Sequence, residues 1–395
     1  MTALYATPGN PGMASVAELL PARADDVDAV VREARARGVD LVVVGPEAPL
    51  VAGLADRLAR EGIPVFGPSA GAAAIEGSKA FAKDVMAAAG IPTAEYAAFS
   101  EIEPALRYVR ARGGRVVVKA DGLAAGKGVV VASSEAEAEA ALRAMLVEGV
   151  HGAAGRTVVV EERLEGPEAS VIALCDGERV CVLPSAQDHK RVGDGDTGPN
   201  TGGMGAFSPA PHVDAAAARE VEERVLLPAL RELARRGHPF RGALYAGLML
   251  TPRGLRVLEF NARLGDPETQ PILMRLSGDV VPALLAAAQG DLSNVSVEVD
   301  PRVAVGVVLA SEGYPRRPVL GDPIDGLDGP FEAGVQVFHA GTARRPDGRV
   351  ASAGGRVLTV CALGEDLAAA RARAYAAMAR IRLRGGHYRK DIGLR

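Results

Sequence analysis

Along the first 70 residues the apolar positions switch between two periods. The run VDLVVVGPE (39–47) is apolar without interruption and stops at Gly45-Pro46, the pattern of a buried parallel strand. VAGLADRLAREG (51–62) repeats its apolar residues at helical spacing, and IPVFGPS (63–69) reads as another short strand. Strands alternating with helices predict an open parallel sheet with ligands beyond the strand C-termini, here Gly45-Pro46-Glu47 and Gly67-Pro68-Ser69. A helix over about 71–89 is broken by Gly90-Ile91-Pro92. From there to about 187 the pattern is that of an α+β unit. It holds helix 101–112, two valine runs around a glycine-rich loop, helix 134–148, strand 157–164, and a hairpin of ASVIALC and RVCVLPS around Asp176-Gly177. Residues 188–209 have no period and predict either a long irregular functional loop or disorder. Helix 213–236, strands GALYAGLML and GLRVLEFNARL, and helices between 267 and 289 follow. The last hundred residues predict a further unit, with strands near 303–311 and 335–339 and a helix over 365–383.

Composition narrows the class. A chain of 395 residues has room for roughly two to four domains. With 48% hydrophobic and 24% charged residues it reads as an ordinary soluble protein. A net charge of −4 provides no basic footprint for nucleic acid or an anionic membrane. No apolar stretch approaches the roughly 18 residues of a membrane span, and no signal peptide opens the chain. Cys175, Cys181 and Cys361 form no metal-binding spacing. Cys175 and Cys181 flank the Asp-Gly turn, but free thiols in a reducing cytoplasm are expected.

Three stretches carry candidate chemistry. VVVKADGLAAGKGVVV (116–131) is not a Walker loop: Gly122 and Gly126 are three residues apart, and Gly128 rather than Ser or Thr follows Lys127. Bracketed by strands, it fits either a flap whose backbone N–H groups cradle phosphate, with Lys119 and Lys127 beside it, or a hairpin with solvated lysines. In VLEFNARLGDPETQP (257–271), strand alternation puts Glu259, Asn261 and Arg263 on one face. Two oxygen donors two residues apart suit magnesium and phosphate, and the arginine suits an anion. The alternative is a polar edge-strand face. Asp266-Pro267 reads as an N-cap and first helical residue, opening a helix whose N-terminus faces an anion. Glu161 to Leu164, with Glu168 beyond, fits a charged strand end or the lining of an adenosine.

The order of these motifs resembles the ATP-grasp superfamily and, within it, the glycinamide ribonucleotide synthetases. The matching strings include ATPGNPG (6–12), FGPSAGAAAIEGSKAF (66–81), KADGLAAGKGV (119–129), QDHKRVGDGDTGPNTGGMGAFSP (187–209), EFNARLGDPETQP (259–271), GGRVL (354–358) and RKDIG (389–393), in the family's order over nearly the whole chain. The resemblance implies an α/β and α+β multidomain ATP-grasp fold. An N-terminal open parallel-sheet domain would span 1–70, an ATP-grasp domain 71–295 with a mobile lid at about 93–164, and a C-terminal α+β domain 296–395. It implies that Lys79, Lys119, Gly126, Lys127 and Gly128 meet ATP phosphates, that Glu161, Glu162 and Leu164 line the adenine, and that Glu168 holds the ribose. Glu259 and Asn261 would bind one or two Mg²⁺ or Mn²⁺ ions. Arg263 would act in catalysis, and Glu47, Asp188, Lys190, Asp266 and Thr269 would face glycine and 5-phosphoribosylamine. The implied reaction joins those two substrates at the expense of ATP, through glycyl phosphate. The implied state is a monomer or weak dimer in the cytoplasm, in transient contact with the enzyme that makes phosphoribosylamine. Against the family pattern, the opening strand, loop and helix of the first domain are expected ahead of Met1, about 30 residues by the length of such a unit. The rival readings are another ATP-grasp carboxylate–amine ligase and an inactive nucleotide-binding remnant.

Overall fold

A computed structural model describes residues 1–124 and 128–394. At the N-terminus Val42–Val43 pairs in parallel with Val65–Phe66, as the alternation predicts, and Tyr5–Ala6 pairs in parallel with Glu18–Leu19, which the pattern does not mark. The expected buried strand at 39–47 is cut to two residues, and Val43 is 47% exposed. Among the described residues, Val42–Val43 has a ladder partner on one edge only, so pairing and burial reach half of what its apolar run could use. The helix predicted at 51–62 divides into Glu47–Val51 and Leu54–Arg60, separated by Gly53 at φ +84°. The helix predicted at 71–89 divides too. Ser78 is extended between Ala70–Gly77 and Lys79–Ala88, and its hydroxyl caps the second helix by accepting from the Phe81 N–H at 3.0 Å.

The segment expected as the lid forms a separate layer. Strands Tyr96–Phe99, Val158–Glu162, Val116–Ala120 and Val129–Val131 lie in that order, all antiparallel. With helices Ile102–Arg110 and Glu135–Leu142 they enclose a core of their own, including Leu106, Val118, Leu142 and Val160. The sheet behind it runs Val180–Val182, Glu168–Asp176, Arg241–Thr251, Gly254–Asn261. Its apolar face joins the N-terminal helices and the helical run 215–235 in one large core. In the predicted hairpin Cys175 lies opposite Val180, not Cys181, and all three cysteines are free thiols.

Residues 188–209 are not irregular. Arg191–Gly193 and Thr197–Asn200 form a hairpin, turned through Gly195 and Asp196 at positive φ. Gln187–Asp188 and Gly205–Ser208 enter the five-stranded C-terminal sheet, alongside Val303–Ala310, Arg356–Gly364 and Val335–His339. The stretch hides its strands because they are short, and because Gly205–Ser208 is buried on both faces and shows no alternation. Helix Leu367–Met378 covers this sheet over a core that includes Phe207, Val305, Leu358 and Met378. Among the described residues no helix is long and apolar enough to cross a membrane.

Candidate functional site

The expected phosphate side lies where the lid segment meets the body. Strand alternation turns Val116, Val118 and Ala120 into the lid core and Lys119 the opposite way. Strand Gly254–Asn261 carries a bulge at Leu258, whose carbonyl accepts from Lys119 Nζ at 2.9 Å. Lys79 opens helix Lys79–Ala88. The carboxylate of Asp121, just past the strand that carries Lys119, accepts from Ser78 Oγ at 2.9 Å and from the Ala80 N–H at 2.7 Å. Lys79, Lys119 and Glu259 thereby line one small cavity with Leu258 and Phe260. Burial, aided by Lys119, lowers the Lys79 ammonium below the ordinary lysine range.

Glu161 is placed differently from a base-lining residue. Its carboxylate is 2.8 Å from Lys119 Nζ and 3.1 Å from Lys83 Nζ, and the side chains of Glu161 and Lys83 are each 2% exposed. Lys83 also donates to Thr93 Oγ1 at 2.7 Å, and Thr93 donates to the Val257 carbonyl at 2.6 Å, which ties the lid hinge to the body. Burial pushes Lys83 down to about 8. Lys83 escaped the sequence analysis, although it stands four residues after Lys79 and so on the same helix face. The Glu162 carboxylate pairs with Arg253, and its N–H is donated to the Glu95 carbonyl. Leu164 lies just beyond this strand. A Cβ on Gly128 would come within 2.7 Å of Ala124 Cβ, a close approach that favours glycine there. Gly126 and Lys127 lie outside the described residues.

On the expected metal face, Glu259 stands opposite Gly247 and Asn261 opposite Tyr245, while Phe260 and Ala262 turn into the core. Among the described residues neither the Glu259 carboxylate nor the Asn261 amide has a hydrogen-bond or ion-pair partner in the protein. Two half-buried oxygen donors left uncommitted beside two lysines fit a hard divalent ion that takes its remaining ligands from phosphate and water.

Beyond Asn261 the site turns anionic and cationic by turns. Arg263 is 3.0 Å from Glu76 and 3.4 Å from Glu47, and Glu76 also accepts from the Ala262 N–H at 2.7 Å. Lys190 is 3.0 Å from Glu168 and 2.9 Å from Asp188. Desolvation would lower its ammonium, but Asp188 and Glu168 outweigh it and raise Lys190 well above the ordinary range. Glu168 therefore meets a lysine across the cleft. Asp266 does not cap a helix. Its carboxylate meets Arg356 at 2.9 Å and accepts from Gln270 at 3.0 Å, and the helix begins at Thr269 with Glu268 at the cap position. Glu268 is buried, accepting from Tyr245 Oη at 2.9 Å, and Tyr245 lies 2.7 Å from Ser170 Oγ. Thr269 Oγ1 is buried with no hydrogen-bond partner among the described residues. Glu76, Glu268 and Arg356 were not predicted as site residues; each sits inside a string that carries the resemblance, which was their only sequence signal. The paired glycines at 202 and 203 have a steric reason. A Cβ would lie 2.9 Å from the Arg356 guanidinium at Gly202 and 2.3 Å from Pro267 Cδ at Gly203.

Three family profiles tile the chain in order. They are the N domain of phosphoribosylglycinamide synthetase over residues 1–76, its ATP-grasp (A) domain over 77–269 and its C domain over 304–395. The chain belongs to the phosphoribosylglycinamide synthetase family. Among its relatives, the phosphoribosylamine–glycine ligase of Caulobacter vibrioides is 51% identical over 393 residues, 99% of this chain and 92% of that one. The ligase of the same name from Salmonella typhimurium is 50% identical, with 99% and 92% covered. The crystal structure of the Thermotoga maritima phosphoribosylamine–glycine ligase aligns with a TM-score of 0.85 at 32% identity, over 99% of this chain and 94% of that one. Biotin carboxylase from Campylobacter jejuni aligns at 0.77 with 18% identity, which shows a shared ATP-grasp fold and nothing finer. Membership of the family makes this chain an ATP-dependent carbon–nitrogen ligase of purine biosynthesis.

Proposed function

We propose that this cleft joins the carboxylate of glycine to the amine of 5-phosphoribosylamine, with ATP bound between lid and body. The observation that carries the reading is the pair of uncommitted oxygen donors, Glu259 and Asn261, on one strand face beside Lys79 and Lys119. A divalent ion held by Glu259 and Asn261 supplies charge neutralisation of the triphosphate. A glycine carboxylate oxygen attacks the γ-phosphorus, ADP leaves, and glycyl phosphate results. The amine nitrogen of phosphoribosylamine then attacks the acyl carbon, phosphate departs with the bonding electrons, and the nitrogen loses a proton. No side-chain nucleophile takes part. Lys79 and Lys119 neutralise phosphoryl charge, and Arg263 and Lys190 orient anionic groups of the substrates. Leu164 and the strand end at Glu162 take the adenine edge, and Glu168 takes the ribose once Lys190 turns to substrate. Glu47, Asp188, Asp266 and Thr269 complete the substrate side. The expected flap contacts of Gly126, Lys127 and Gly128 belong to the same reading, and water is excluded when the lid closes. The assembly expected with this reading is a monomer or weak dimer.

The test is Glu259→Gln, which keeps shape and removes the anionic donor. Ligation, followed as ADP release requiring both glycine and phosphoribosylamine, is expected to be lost at every magnesium concentration, with the circular dichroism spectrum unchanged. An unchanged rate at low magnesium would remove the metal from this strand.

A further inference from the structure

We propose that Arg389, in the C-terminal string RKDIG, is a positioning residue for ligation: it clamps the 191–200 hairpin onto the C-terminal unit and thereby sets Lys190 in the cleft. Arg389 is 1% exposed, and its guanidinium is directed wholly at two segments. Nε and Nη2 donate to the two Asp391 oxygens at 2.7 and 2.6 Å, a bidentate pair. Nη1 donates to Asp196 Oδ1 at 2.7 Å and to the Arg191 carbonyl at 3.1 Å, nearly two hundred residues away in sequence. The grip is reciprocated. Asp391 Oδ2 accepts from the Gly195 N–H at 2.9 Å, and Asp194 Oδ1 accepts from the Lys390 N–H at 2.7 Å. The string is itself anchored, because Tyr375 on helix Leu367–Met378 donates to the Arg389 carbonyl at 2.7 Å and accepts from the Ile392 N–H at 3.2 Å.

At its other end the hairpin closes on Lys190, whose carbonyl accepts from both the N–H and the hydroxyl of Thr201 at 2.8 Å. The Lys190 ammonium is the group paired with Glu168 and Asp188. The turn held by Arg389 and the cleft residue Lys190 are thus two ends of one short hairpin. A buried guanidinium is a poor source of net stability but, with its fork fixed by two carboxylates, a good source of register.

This inference rests on the reading of Asp188 and Lys190 as substrate-facing residues, and the experiment separates the two. Arg389→Met removes the clamp. Asp391→Asn weakens it while keeping the arginine, and serves if the first variant does not fold. In the full-length protein, hydrogen exchange of amides 190–201 is expected to speed up about tenfold or more, with the strands at 168–176 and 241–251 unaffected. The KM for glycine or phosphoribosylamine is expected to rise about 10- to 100-fold while that for ATP stays within about twofold. Unchanged protection of 190–201 in both variants overturns the clamp. Lost protection with all KM values unchanged overturns the substrate role of Asp188 and Lys190 instead. A uniform rise in every KM together with a lowered Tm would leave Arg389 merely structural and overturn its positioning role.

Discussion

Glu268 is a carboxyl enclosed by Tyr245 and Ser170, close to the further negative charge of Asp188. Burial first, and Asp188 second, push it from an ordinary 4.5 up to about 7. The sign of the consequence is fixed by linkage. Between these values the folded chain keeps a proton that the unfolded chain has released, so stability falls as pH rises through this window. The contribution is complete below the lower value and lost above the upper one. Glu268→Gln retains a neutral acceptor for Tyr245 and is expected to abolish this dependence. The stability of the natural protein relative to the variant should therefore fall by roughly 2–3 kcal/mol between about pH 5 and pH 8. Denaturant titrations of both proteins across that range check it, and parallel curves would mean that Glu268 is ionised throughout.

Among the elements, the lid segment has a core of its own, apart from that of the body. Leu106, Val118, Leu142 and Val160 pack with one another, while contact with the body passes through polar joints such as Lys83–Glu161–Lys119 and Thr93–Val257. Such an arrangement is expected to let the lid segment open as a unit. Leu142 is fully buried there, and Leu142→Ala is expected to cost about 2–5 kcal/mol. The loss should be local. Exchange of amides in 116–120 and 158–162 should accelerate while 168–176 and 241–251 keep their protection, and the KM for ATP should rise more than that for glycine. Equal acceleration in both sheets would show that lid and body unfold together.

For the molecule as a whole, the C-terminal unit is not an appendage. Strand Gly205–Ser208 is fully buried and pairs with Val303–Ala310, while Arg356 donates to the Gly202 and Asp266 carbonyls at 2.8 and 2.7 Å. Without residues 303–395, that strand would present an open apolar edge and residues 188–205 would lose their supports. Expressed as 1–302, the protein is expected in the aggregated fraction. A soluble 1–302 that still consumes ATP only with glycine and phosphoribosylamine present would contradict this.

Sequence by itself determined the parallel pairing of the strands near 42 and 65, the strands and helices of the α+β stretch after residue 90, the hairpin at Asp176-Gly177, and the common face of Glu259 and Asn261. All of these follow from period-2 and period-3.6 patterns that a local window contains. The motif order likewise determined the family. Tertiary structure decided the rest: the strands within 188–209, the late start of the helix at Thr269, the turn of Glu161 toward two lysines, and the roles of Lys83, Glu76, Glu268, Arg356 and Arg389. Asp266 alone reads as a cap, and only Arg356, 90 residues on, takes its carboxylate elsewhere. For the charged side chains the physical reason is shared. A buried charge is placed by the partner that compensates it, and that partner comes from another segment, beyond the reach of any local pattern.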